Sequence, residues 1–153
     1  MPGVTLEGTL IVANRIGGSV SFIDLPSGVE LARHPKCVVM GDFNIAPDDR
    51  DVYDPDAWRE KILCSTPERE ALGRILDLGL VDTFRLFDQE DGVFSWWDYR
   101  MNMFRRKMGL RIDLVLASAT MARRCTASYI DIEPRRQERP SDHAPAVAEF
   151  DPE

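Results

Sequence analysis

The stretch Gly41-Asp42-Phe43-Asn44-Ile45-Ala46-Pro47 follows the apolar run Cys37-Val38-Val39-Met40. An apolar run that stops at Gly-Asp reads as a buried strand that delivers polar side chains at its end. Asp42 and Asn44 are two apart, so on extended chain they point the same way. A carboxylate beside a carboxamide at a strand end can hold a metal-bound water and a phosphate oxygen. Taken alone, the pair also reads as turn formers. Two downstream pieces carry complementary groups: Arg111-Ile112-Asp113 and Ser141-Asp142-His143.

Working outward, the chain from His34 onward reads as mixed α and β. Ser65-Thr66-Pro67-Glu68 is a helix start, with a hydroxyl cap, an early proline and a glutamate three residues after the cap. Ala71, Leu72, Ile75 and Leu76 form its apolar stripe, and Gly79 suits its stop. Residues 48–58 read as an acidic loop. Residues 94–97 read as an aromatic, strand-like segment, and 112–117, 127–132 and 146–150 as strands, with a helical turn over 118–124. Asp113 sits among Ile112, Leu114, Val115 and Leu116. A carboxylate there is buried and costly without a partner. Asp77 and Asp82 read as structural, and so does His34.

Residues 1–34 differ in character. Short apolar segments at 10–13, 20–23 and 29–31, separated by Gly17-Gly18 and Pro26-Ser27-Gly28, read as a β-meander. This wording resembles one repeat of the YVTN-type β-propellers, over about 25 residues. A lone blade normally stacks on neighbours, and no second copy follows.

The 153 residues fit one domain, or one domain plus an appendage. The net charge of −7 argues mildly against a nucleic-acid binder. Its distribution qualifies that: Arg100, Arg105, Arg106, Lys107 and Arg111 occur with no acid between them, while acids crowd between Asp48 and Glu60. A local basic loop can contact phosphates even on an acidic protein, since surface charges are screened beyond about 10 Å. The alternative is a solvated face. Three cysteines without metal spacing point to a reducing, cytoplasmic setting. No apolar stretch is long enough to span a membrane.

Five blocks then stand in one order: GDFNIAP (41–47), LGLVDTFR (78–85), FSWWDYR (94–100), GLRIDLVLAS (109–118) and PSDHAP (140–145). Together they resemble the C-terminal half of an exonuclease III-type enzyme of the endonuclease/exonuclease/phosphatase superfamily. The resemblance implies an α+β fold: about half of a four-layer β-sandwich flanked by helices, over residues 35–153, after the 1–34 meander. It implies metal-dependent hydrolysis of DNA phosphodiesters, with Mg²⁺ or Mn²⁺ as cofactor and double-stranded or abasic DNA as partner.

The resemblance also implies roles. Asp142 is the carboxylate beside the metal, and Mg²⁺ needs only one or two because it keeps several waters. His143 contacts the scissile phosphate, and Asp113 orients it. Asp42 is the acid–base group and Asn44 donates to a phosphate oxygen, with Ser141 supporting the loop. Trp96, Leu110 and Ile112 match an apolar slot for a base-less sugar, and Arg100 a position that enters the DNA groove. Trp97 reads as core, and Trp96 reads equally as core or as part of the slot. The family's first half, with its metal glutamate, has no counterpart here. The expectation is therefore a weak or inactive chain, whose open apolar face calls for self-association or a missing N-terminal half. The rivals are a phosphatase or phosphodiesterase of the same superfamily and a non-catalytic DNA-binding fragment.

Overall fold

The structure, a computed structural model, describes residues 8–14, 19–25 and 36–152. The chain forms two compact units, Met1–Pro35 and Lys36–Glu153. In the first, β1 (Gly8–Asn14) and β2 (Ser19–Leu25) pair antiparallel, with Leu10 opposite Ile23 and Asn14 opposite Ser19. These are the strands expected at 10–13 and 20–23. The third expected strand, at 29–31, lies outside the described residues.

In the second unit the apolar run before Gly41 forms β3 (Val38–Asp42). It pairs antiparallel with β5 (Asp113–Ser118), which pairs on its other side with β4 (Leu80–Asp82). The central β5 carries the core: Leu114, Val115, Leu116 and Ala117 are all buried. Register sets the faces. Asp42 lies opposite Asp113, Met40 opposite Val115 and Val38 opposite Ala117. Period-2 alternation puts these pairs on one face. Met40 is 65% exposed there.

A second ladder joins β6 (Cys125–Ile130) to β7 (Ala146–Phe150), antiparallel. Buried hydroxyls tie the two sheets: Thr83 Oγ1 lies 3.0 Å from the Val115 carbonyl and 2.9 Å from Ser128 Oγ, which reaches the Val147 carbonyl. Such bonds satisfy polar groups that burial would otherwise penalise by about 1–3 kcal/mol each.

The helix signals at Ser65 form α2 (Thr66–Leu76), with Ser65 and Glu68 closing a capping box. Leu72 is buried, and Leu72 and Leu76 line an apolar cavity of about 490 Å³ with Leu80, Leu114 and Leu116. Gly79 turns the chain away at φ +92°, a conformation suited to glycine. The short α3 (Ala119–Ala122) fills the expected helical turn. Two expectations change. The acidic loop contains a 3₁₀ turn (Asp49–Asp51) and a one-turn helix α1 (Pro55–Trp58), each capped by an aspartate, Asp48 and Asp54. The aromatic segment forms isolated bridges, Trp96 with Leu110 and Trp96 with His143, in place of a strand. No described helix is long and apolar enough to cross a membrane.

Candidate active site

The ends of β3 and β5 meet the loop before β7, and three of the predicted side chains converge there. Asp42 and Asp113 are cross-strand partners. His143 Nδ1 lies 2.9 Å from Asp113 Oδ2, and its Nε2 lies 3.9 Å from Asp42 Oδ2. The first distance is a hydrogen bond; the second is too long for one. One carboxylate therefore holds the ring, and the other faces its second nitrogen without being consumed by it.

The chain forces this geometry locally. Gly41 adopts φ +148°, which a side chain would strain, immediately before Asp42. Asn44 follows at φ +53°, and its N–H donates to Asp42 Oδ1 at 2.8 Å. Asp42 is thus a turn former through one oxygen and a site residue through the other. Burial raises the Asp42 carboxyl above its ordinary range; the Asn44 backbone bond opposes this, and the Asp113 charge adds to it. On the other side, Ser95 is fully buried, and its hydroxyl accepts the N–H groups of Ile112 and Asp113 at 3.0 Å each. Its carbonyl accepts from Ala144 N, so one residue pins both Asp113 and the His143 loop. Ser141 Oγ accepts from His143 N at 3.1 Å, the supporting contact expected of it.

Asp142 sits beside this trio in sequence. Its Oδ2 accepts the Trp96 indole N–H at 3.1 Å. Among the described residues its other oxygen has no partner. Trp96, Leu110 and Ile112 do come together, in a cluster with Ala46, Val52 and Cys64. Leu110 and Ile112 are enclosed there at 0% and 2% exposure, while Trp96 is partly exposed. Arg100 is solvent-exposed and tied to Asp98.

One reading is corrected. Arg111 belongs to no solvated basic face: it is fully buried. Its Nε donates to Asp51 Oδ1 and its Nη2 to Asp82 Oδ2, each at 2.6 Å, and its guanidinium lies 4.6 Å from the Phe84 ring centre. Two carboxylates and an aromatic face compensate the charge. Asp51, itself buried, also pairs with Arg85. Sequence reading missed Asp51, Ser95 and this role of Arg111; the only signal was an arginine held between Leu110 and Ile112.

A profile described as the Endonuclease/Exonuclease/phosphatase family matches residues 23–143. This chain belongs to that family. An exodeoxyribonuclease III of Haemophilus influenzae is 44% identical over 120 residues, covering 74% of this chain and 45% of that protein. The 3′ phosphatase NExo from Neisseria, solved bound to a product DNA hairpin, matches with TM-score 0.75 and 53% identity, over 78% of this chain and 46% of that one. An AP endonuclease from Archaeoglobus fulgidus matches with TM-score 0.71 and 40% identity, over 76% of this chain and 46% of that one. This endonuclease/exonuclease/phosphatase chain thus spans about half the length of the relatives it matches, with the α+β fold of that half. The likeness of residues 1–34 to a propeller repeat finds no support in these comparisons.

The family is one of divalent-metal-dependent enzymes. Among the described residues no group of three His, Cys, Asp or Glu side chains is placed to hold a metal. The unpartnered Asp142 oxygen is a hard donor of the kind Mg²⁺ takes, and such an ion keeps several waters. The donor set fits a divalent ion held by one carboxylate and water, and falls short of a protein cage.

Proposed function

We propose that this chain carries the phosphate-handling half of a DNA repair nuclease, acting on phosphodiesters by metal-dependent hydrolysis. The observation that supports it is the Asp113–His143–Asp42 arrangement, one ring nitrogen held and the other facing a second carboxylate. Asp113 fixes the imidazole through Nδ1–H, so that Nε2, when it carries a proton, donates to a phosphate oxygen. Asp42, whose carboxyl is raised by partial burial, is the group that holds or accepts the proton of an attacking water or leaving oxygen. Asn44 donates to a phosphate oxygen. Asp142 holds the divalent ion, Mg²⁺ or Mn²⁺, which when bound neutralises charge at phosphorus.

The partner is double-stranded or abasic DNA, with Arg100 entering the groove. Trp96 offers its exposed part to a base-less sugar, and Leu110 and Ile112 back it from the core. The unit 35–153 does this work in the cytoplasm, and the 1–34 segment is a propeller-like appendage. The chain acts weakly or not at all alone, because no metal glutamate is among the matched motifs. A second copy or a separate N-terminal half is the protein partner this reading calls for. The test is cleavage of an abasic duplex with Mg²⁺, against His143→Ala. Robust cleavage that the substitution abolishes keeps the site and overturns the weakness; robust cleavage that survives it overturns the site.

A second reading has one observation in its favour: the Neisseria relative at 53% identity is a 3′ phosphatase. Removal of a 3′-terminal phosphate needs no flipped nucleotide, which suits the enclosed Leu110 and Ile112. Duplexes with a 3′-phosphate and with an internal abasic site, assayed side by side, separate the two.

A further inference from the structure

Arg135 follows strand β6, in a 3₁₀ turn (Glu133–Arg136). It is only 7% exposed. Its guanidinium carbon lies 4.6 Å from the Phe104 ring centre and 5.4 Å from that of Tyr99. Its Nε is buried with no hydrogen-bond partner. Among the described residues no carboxylate pairs with it. The nearby Asp98 is already engaged, with both oxygens accepting from Arg100. Ring faces compensate part of a buried charge. They satisfy none of its N–H groups, and an unmet N–H of a buried charged group is costly.

This arginine lines a cavity of about 410 Å³ with Tyr99, Asn102, Arg105, Arg136 and Pro140. Arg105 is exposed at the rim, and Arg136 is paired with Glu133. Asp98 also lines it, with its carboxylate taken up by Arg100, so the balance of the lining is positive, with amide and guanidinium donors. The cavity adjoins the site already described: Tyr99 Oη donates to the Pro140 carbonyl at 2.7 Å, and Pro140 leads directly into Ser141-Asp142-His143.

We propose that the Arg135 cavity is a second phosphate site, distinct from the His143 centre, which receives a phosphate group at the Arg135 guanidinium. Two sources share this chemistry: a backbone phosphate of bound DNA, and a free phosphate. The first rests on the DNA reading above; the second does not.

The test follows the Arg135 Nε–Hε signal by ¹⁵N NMR in the whole chain, assigned by its loss in Arg135→Lys. Inorganic phosphate is titrated against sodium chloride at matched ionic strength, in the wild type and in His143→Ala. The expected result is a saturable shift with phosphate, absent with chloride and retained in His143→Ala. The exposed Arg105→Glu, which leaves the buried stack intact, weakens it by about fivefold. Duplex DNA is then added, with binding followed by fluorescence anisotropy on the same sample. A shift with both phosphate and DNA assigns the backbone source; a shift with phosphate alone assigns the free source. A signal that ignores phosphate, or answers chloride equally, overturns the site. If DNA still binds in that case, the nuclease reading survives; a phosphate shift without DNA binding does the reverse.

Discussion

His143 Nδ1 and Asp113 Oδ2 lie 2.9 Å apart, joining residues thirty positions distant in the chain. The bond fixes which face of the imidazole is free. A charge-assisted hydrogen bond of this kind contributes roughly 1.5–3 kcal/mol. Asp113→Ala is expected to release the ring, giving a mixture of tautomers where the wild type holds Nδ1–H. Ring ¹⁵N shifts read this directly. Any cleavage the chain supports is expected to fall by about 10²-fold or more, with DNA affinity little changed.

Asp42 carries a pH signature. Burial raises its carboxyl in the folded chain. A raised carboxyl is penalised when charged, so the folded state loses stability as pH climbs from the ordinary carboxylate value to the raised one, carries the full penalty above it, and regains the stability as pH falls back through that window. Asp42→Asn is expected to raise the melting temperature near neutral pH. The difference should vanish below the ordinary carboxylate range of about 4. A variant no more stable than wild type at neutral pH contradicts this account of Asp42.

The buried cluster of Arg111, Asp51 and Asp82 anchors the chain two residues before Asp113, where β5 starts. Arg111→Met removes the charge and leaves Asp51, 1% exposed, with the Arg85 guanidinium and the Asp48 N–H. Urea unfolding is expected to show a loss of about 3–5 kcal/mol. A loss below about 1 kcal/mol would mean that the pair behaves like a surface ion pair.

Gly109 is a steric requirement. A Cβ there would lie 2.7 Å from Phe94 Cβ and collide with the Trp97 indole. Phe94 Cβ is fixed to backbone, so relief requires moving the 94–97 segment that positions Ser95 and Trp96. Gly109→Ala is expected to cost about 1–3 kcal/mol. It should also disturb the Trp96–Asp142 hydrogen bond, visible as a shift of the Trp96 indole N–H signal.

What the sequence disclosed follows from the range of the forces involved. The capping box at Ser65 and the strand before Gly41 are local, and both were legible; the burial expected of that strand was not borne out, since only Val39 of the run is buried and Met40 is exposed. The meeting of Asp42, Asp113 and His143 was legible only through five motifs in order, since no spacing in the chain encodes a contact across thirty residues. Arg111 was misread because charge clusters are judged by neighbours in sequence. Its partners Asp51 and Asp82 lie 60 and 29 residues away. Trp96 was ambiguous for a related reason: it is partly core and partly exposed, and composition cannot divide one side chain.

The central claim is that Asp42, Asp113 and His143 form one site for a DNA phosphate. It is tested most directly by the His143 ring ¹⁵N signals as a duplex bearing a stable abasic analogue is titrated into the chain with Mg²⁺. A saturable shift of the His143 Nε2 signal is expected, lost in Asp113→Ala and smaller with an intact duplex. A chain that binds the abasic duplex while both His143 ring signals stay unmoved would contradict that claim.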